Sequence, residues 1–362
     1  MVIDNNDIPK QDYMVLCSTI TYNHAPYITD TMNGFCMQQT SFSYACYIID
    51  DASTDGEQDV IKAYLDEHFQ MDKAEQYELE LANVIVAKHN TNPNCTFAVY
   101  LLKRNLWKEP DLKRPLGRPW TQRCKYIALC EGDDYWTDPL KLQKQVDFME
   151  ANPEYGLCYT DYNRLEDAIQ TLTESMFEQQ NQYRPISYEQ HLLKPGYLAP
   201  MTWLYRHELM NLIDKANVHT DGTYAYMLEF LYNSKVAYIP QVTAVYRSHA
   251  GSASSPIGDK ALFRYTIGVF RTQIHYTQKY SCSNELKHKV LMRGYLCKLP
   301  IAIMAENEDF VREAKTFMEA QDIDIDLIIR ELKQGEMKRK SYAYRLGKKL
   351  LKPISWLRNI RK

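Results

Sequence analysis

The residues best suited to do chemistry lie between Ala128 and Pro139, in ALCEGDDYWTDP. Glu131, Asp133 and Asp134 place three carboxylates within four positions, and like charges at that spacing repel one another. A cation among them relieves the repulsion, and hard divalent ions such as magnesium or manganese take carboxylate oxygens. Gly132 lets the backbone turn sharply between the acids. The same residues also suit an acidic turn ahead of a helix, because Asp138 followed by Pro139 makes a good N-cap and first helical position. A second acidic cluster closes another apolar run at Tyr47 to Gly56, YIIDDASTDG.

Both clusters follow runs of strand length, Tyr44 to Ile49 and Tyr126 to Leu129. Ligands of open α/β sheets bind outside the carboxyl ends of strands, so two acidic strand ends predict one shared site. Met14 to Ile20 reads as the first strand. Pro26 to Gln39 reads as a helix that turns Ile28, Met32 and Phe35 toward the sheet, and Val60, Ile61, Tyr64 and Leu65 mark a second helix. Val84 to Ala87 is a third strand, and this alternation predicts a doubly wound, parallel sheet. Lys108 to Arg123 holds three prolines, one glycine and five basic residues, which predicts an irregular loop. Beyond the acidic cluster, Leu140 to Met149 reads as a helix, Gly156 to Thr160 as a strand ending in Asp161, and Glu166 to Tyr183 as a surface connection. Trp203 is expected in the core. Leu262 to Tyr276, Glu285 to Ile303 and Asp309 to Glu319 read as helices.

Three motifs now stand in order: Thr21-Tyr22-Asn23 within ITYNHAPYI, Asp50-Asp51-Ala52-Ser53-Thr54-Asp55, and Glu131-Gly132-Asp133-Asp134-Tyr135-Trp136. In this arrangement the chain resembles the family 2 glycosyltransferases, nucleotide-sugar-dependent enzymes with a GT-A fold, over roughly residues 13 to 255. The resemblance implies an α/β fold of GT-A type, doubly wound with a mostly parallel sheet, in 1–258; outside that core, periodicity gives a helical extension in 259–337 and charge a basic amphipathic tail in 338–362. It implies that Thr21, Tyr22 and Asp51 contact the nucleotide, for which an aromatic face and a carboxylate acceptor are suited. Asp133, with Glu131 or Asp134, would hold a divalent metal (Mn or Mg) facing the diphosphate of the nucleotide sugar. His249, in YRSHAGS, would approach the same metal or the diphosphate. Asp221, in HTDG, matches the family's catalytic base, although the Glu that usually precedes it is Thr220 here. The implied reaction is inverting transfer of a sugar from a nucleoside diphosphate sugar, commonly a UDP-sugar, to a hydroxyl of a glycan or lipid-linked acceptor, as in polysaccharide assembly. A nucleotidyltransferase would more naturally carry a Gly-rich phosphate loop near the N-terminus, which ITYNHAPYI lacks. A non-catalytic relative would be expected to have lost some of these acids.

Composition sets further bounds. The 362 residues are 45% hydrophobic and 25% charged, enough for one large core or two modest ones. Nine scattered cysteines without a CxxC pair suit reduced thiols in the cytoplasm. The polar opening MVIDNNDIPKQD reads as no secretory leader, and no apolar run approaches the roughly 20 residues of a membrane span. The net charge of −3 hides an asymmetry: residues 338–362 carry ten Lys or Arg and no acid, leaving 33 basic against 46 acidic residues, or −13, in the remainder. The tail combines this charge with Leu350, Leu351, Ile354, Trp356, Leu357 and Ile360, a composition that suits peripheral attachment to an anionic membrane face. Docking on the chain's own acidic body is the other reading. An acidic body without a companion motif argues against nucleic acid.

Overall fold

The computed structural model of the chain describes residues 4–184, 187–196, 199–212, 222–249, 258–326 and 329. Asp221 and the tail 338–362 lie outside them. In chain order the elements are β1 (Tyr13–Thr21), α1 (Ile28–Cys36), β2 (Tyr44–Asp50), α2 (Glu57–His68), β3 (Glu75–Glu78), β4 (Ala82–Lys88), β5 (Cys95–Leu102), α3 (Pro110–Gln122), β6 (Cys124–Leu129) and β7 (Tyr135–Trp136). They continue as α4 (Lys141–Ala151), β8 (Tyr155–Glu166), β9 (Thr171–Thr173), α5 (Tyr188–Leu193), β10 (Trp203–Arg206), α6 (Thr223–Asn233), β11 (Lys235–Ser248), α7 (Asp259–Lys279), α8 (Asn284–Met304) and α9 (Glu308–Glu319).

Among the described residues the strands form one sheet in the order β3-β4-β5-β2-β1-β6-β10-β8-β11-β7, with β9 beside β8. Its centre is parallel: β2 pairs with β5 and β1, and β1 with β6. Every residue of β2 and of β5 is buried, the pattern of strands covered on both faces. The α/β architecture is therefore the expected one, with two differences. The third expected strand, β4, runs antiparallel to β5 and β3. β10 is likewise antiparallel to β6 and β8, so the sheet is parallel only at its centre and between β8 and β11.

The proline-rich stretch is a correction. Residues 110–122 form helix α3 rather than an irregular loop. Pro110 fits the first helical turn, and Leu116, Pro119 and Trp120 give the helix a buried face. Pro119 cannot donate to the carbonyl of Pro115, but Asn5 Nδ2 donates to Pro115 O at 3.1 Å and to Leu116 O at 3.1 Å. A donor distant in sequence thus replaces the missing one. The strand expected to stop before Asp161 also continues, to Glu166, and Asp161 instead gathers the following segment by accepting bonds from Ser175 Oγ (2.7 Å) and Phe177 N (2.8 Å).

The described chain divides into two compact units. The first, 1–184, 197–213 and 229–250, contains the sheet and the three motif loops that follow β1, β2 and β6. The second, 185–196, 214–228 and 251–362, contains α7, α8 and α9, the three helices expected from periodicity, together with α5. Trp203 is fully buried and packs on Phe230, and none of the nine cysteines is disulfide-bonded.

Candidate functional site

The parallel centre brings the three motifs to one edge of the sheet. Thr21 is in register with Asp50 and Ser18 with Leu129, so β1, β2 and β6 all end their strands at the same side. Cys130 N extends this by donating to Ser18 O at 3.2 Å. The loops that follow are then locked by side chains. Glu57, buried at the start of α2, accepts from the Thr21 hydroxyl, from His24 N (2.9 Å) and from Ser53 Oγ (2.8 Å). Ser53 Oγ in turn accepts from Asn23 N, Asn23 Oδ1 from Thr54 N, and Asp55 Oδ2 from Ala25 N. Asn23 and Ala52 both take left-handed backbone, at φ 58° each, a conformation held only where surroundings over-determine it.

Gly132 joins the third loop to the first. A Cβ there would lie 2.1 Å from Thr21 Oγ1, so only glycine permits this approach. The Thr31 hydroxyl, from α1, holds the same turn through Asp134 O at 2.6 Å, with Gly132 O at 3.1 Å. Trp136 then anchors its far end: the indole N–H donates to Met201 O at 2.8 Å, and its ring packs on Phe35.

The three neighbouring acids go to different environments. Asp133 Oδ2 lies 2.9 Å from His249 Nε2 and 3.9 Å from His24 Nε2, and the ligand atoms of these three residues all fall within 4.8 Å of one another. Among the described residues this is the group whose spacing could admit a metal ion, and neither Glu131 nor Asp134 belongs to it. Asp134 is fully enclosed and accepts from Arg247 N at 2.8 Å. Burial, then the charges of Asp133 and Glu131, push its carboxyl well above the ordinary range. For Asp133 burial acts in that same direction, but the His249 hydrogen bond and the nearby imidazoles outweigh it and hold the carboxyl below its ordinary value. Burial lowers His24, against the attraction of Asp133. One carboxylate flanked by two imidazoles is a donor set that fits a divalent ion.

The residues expected at the nucleotide are placed as follows. Tyr22 is 43% exposed at the mouth of these loops, so its ring is free to stack. Thr21 is buried, and its hydroxyl is committed to Glu57. Asp51 is buried as well: its Oδ1 accepts from Leu106 N at 2.7 Å, and its Oδ2 is paired with Lys113 Nζ of α3 at 2.8 Å. Arg247, beside the metal-ligand group, pairs with Asp30 at 2.6 Å and lies over the rings of Tyr27 and Tyr135, 4.6 and 5.1 Å from their centroids. His24, Glu57, Lys113 and Asp30 join the site only through the tertiary structure. Of these only His24 carried a local signal, a histidine three positions beyond a strand end.

Fold and motif arrangement place the chain among GT-A-type α/β proteins. Staphylococcus aureus TarS superposes with a TM-score of 0.53 at 14% identity, covering 92% of this chain and 55% of TarS. A structure of TarS residues 1–349 in complex with UDP-GlcNAc gives 0.50 at 13% identity, covering 89% and 91%. The sequence profile of Glycosyl transferase family 2 matches residues 18–80. Rv1520 of Mycobacterium tuberculosis is 30% identical over 252 residues, 69% of this chain and 63% of that protein, so the match spans somewhat under two thirds of this relative's length. TuaG of Bacillus subtilis, named as a teichuronic acid biosynthesis glycosyltransferase, is 25% identical over 245 residues, 67% of this chain and 82% of TuaG. The chain is thus similar to glycosyltransferase family 2 in sequence over residues 18–80 and to TarS in fold.

Proposed function

We propose that the chain transfers a glycosyl group, with inversion, from a nucleoside diphosphate sugar to a hydroxyl of a glycan or lipid-linked acceptor. The observation that carries this reading is the packing of three motif loops onto one sheet edge, with Tyr22 exposed next to Thr21, which the Gly132 turn approaches, and Asp133 of that turn 2.9 Å from His249, directly after β11. A uridine diphosphate sugar is the donor class we assign, in keeping with the UDP-GlcNAc bound to TarS. The name of TuaG supports assembly of a surface polysaccharide as the setting.

Tyr22 offers its face to the base, and the Asp51 loop bounds the nucleotide. Asp133 and His249 would hold a divalent ion, and such an ion would supply positive charge to stabilise the departing diphosphate. Asp221 accepts the proton of the attacking hydroxyl, and a single displacement of this kind inverts the anomeric centre. The basic tail 338–362 brings the protein to an anionic membrane face, where a lipid-linked acceptor would be met.

Calorimetric titration of nucleoside diphosphates, with manganese and with chelator, tests the reading. Binding of one nucleotide that the chelator abolishes is expected, with Asp221→Asn keeping that binding while losing roughly 100-fold or more of transfer. Absence of nucleotide binding under every condition rejects the proposal.

A further inference from the structure

We infer that the edge of the sheet opposite the motif loops carries a second ligand site, a pocket that takes an anionic sugar, one bearing a carboxylate or a phosphate. The inference goes beyond the proposed transfer reaction, because no step of that reaction uses this edge.

Strand register locates the pocket. Tyr13 opens β1, Thr96 is the second residue of β5 and Lys88 ends the antiparallel β4, so the three lie where the parallel strands begin, away from the loops that follow them. Thr96 and Lys88 are directly paired, Val86 is two residues from Lys88, and Glu75 of β3 is paired with Val86. Side chains at those positions share one face of the sheet. Trp120 of α3 packs on Tyr13 with ring centroids 6.1 Å apart, and Ile8, from the segment before β1, joins them. Together these residues line a pocket of about 450 Å³, within the range of roughly 300–1,000 Å³ that holds small molecules.

The chemistry of the lining selects the ligand. Its aromatic part is a floor with little open face: Trp120 is 1% exposed and Tyr13 8%, and the Trp120 N–H is spent on Tyr100 OH at 2.9 Å. A nucleotide base would need an open ring plane to stack on, whereas the C–H surface of a sugar ring needs only a narrow apolar strip. The polar part is cationic. Lys10, Lys73 and Lys88 line the pocket with one acid, Glu75. Glu75 is already engaged, since Lys10 Nζ lies 2.5 Å from its Oε2 and the Tyr77 hydroxyl donates to it. Neither Lys73 nor Lys88 pairs with a carboxylate among the described residues, so two ammonium groups stand ready for a ligand anion on a stretch, residues 1–337, that is net −13. An ammonium is a compact charge that accepts carboxylate or phosphate alike. The amides of Gln11 and Gln70 line the same pocket and can exchange hydrogen bonds with sugar hydroxyls.

The test uses the full chain and four probes: glucuronate, glucose 6-phosphate, inorganic phosphate and glucose. Calorimetry and saturation-transfer NMR should show an anionic sugar binding at about 1 mM, roughly tenfold or more tighter than glucose or inorganic phosphate, and the tighter of glucuronate and glucose 6-phosphate identifies the anion. Lys73→Ala and Lys88→Ala should each weaken binding about 2- to 5-fold, as suits exposed ammonium groups, and the double variant about tenfold. Val86→Phe keeps the charge but fills the pocket, and should abolish binding of both anionic sugars. Lys62→Ala, outside the pocket, should change nothing. Inorganic phosphate binding as tightly as the anionic sugars, or sugar binding that survives Val86→Phe, would reveal an anion meeting surface charge and overturn the site. Binding unchanged in the double lysine variant, or no binding of either anionic sugar, overturns it as well. Thermal unfolding checks each variant, and the comparison of glucose 6-phosphate with inorganic phosphate decides the matter should Val86→Phe not fold. Chelator-sensitive nucleotide binding is expected unchanged in the double lysine variant, and its absence from the unaltered chain would reject the transfer reaction without touching this pocket.

Discussion

Lys141 shows how a single side chain can be placed against its own chemistry. At the start of α4 its ammonium is fully enclosed, donates to Gln145 Oε1 at 2.6 Å and lies 4.4 Å from the centroid of the Trp136 ring. Burial lowers its pKa from 10.5 to about 8. The unfolded chain keeps this proton to about 10.5 while the folded chain releases it near 8, so over that interval the unfolded state binds more protons and stability rises with pH. Below about 8 both states are charged, and the whole cost of burying the cation is present. Lys141→Met should therefore stabilise the protein, by about 1–3 kcal/mol at pH 7, with an advantage that shrinks as the pH climbs toward 10. Urea unfolding of both proteins at pH 7 and 9.5 measures this, and an advantage independent of pH would refute the assignment. Gly132 shows a constraint of another kind at the same scale: the acidic motif can reach Thr21 only because one residue lacks a Cβ.

At the scale of the element, α3 decides how the Asp51 loop is held. The helix delivers Lys113 to Asp51, yet it contains Pro115 and Pro119, and each removes a backbone donor. What sustains it is a polar chain. Trp120 Nε1 donates to Tyr100 OH, Tyr100 OH donates to Asn5 Oδ1, and Asn5 Nδ2 serves the carbonyls of Pro115 and Leu116. Asn5→Ala is expected to destabilise by about 1–3 kcal/mol, since it removes the acceptor of the Tyr100 hydroxyl proton and the donor to Pro115 O, which Pro119 cannot serve. Hydrogen exchange should accelerate first within residues 113–122, and unchanged protection there would show that α3 stands without Asn5. The turns after β1 and β2 follow the same logic, because Glu57, Ser53 and Asp55 supply bonds that neither loop could make alone.

At the scale of the whole molecule the charge asymmetry makes a separate prediction. Among the described residues no helix is long and apolar enough to cross a membrane. The ten basic residues of 338–362 stand against −13 on the remainder of the chain. Attraction to an anionic surface of roughly 1 kcal/mol per basic residue would be ample for reversible attachment. Removing 338–362 should reduce sedimentation with phosphatidylserine-containing vesicles roughly tenfold or more, and added salt should release the full-length chain. Equal sedimentation of the two forms would eliminate the tail as the attachment point.

The sequence by itself determined the elements with strong local patterns and the order of the three motifs. Apolar runs of strand length, helical spacing in α1, α2 and α4, and the motifs at Thr21, Asp50 and Glu131 all depend on neighbouring residues, so they could be read along the chain. The three helices of the second unit were legible for the same reason. Only the tertiary structure decided what those residues face. The sequence favours Asp133 and leaves Glu131 and Asp134 as alternative companions, whereas in the structure Asp134 turns to the Arg247 backbone and Asp133 is the acid that joins the two imidazoles. His24, Asp133 and His249 come from three loops, and their meeting depends on strand register, on the approach Gly132 allows and on the bonds of Glu57. Helix α3 was hidden similarly, because the donor that offsets its prolines lies at residue 5. Local propensity records how each residue prefers to fold its own backbone. A ligand set is fixed by packing between segments that local propensity does not encode.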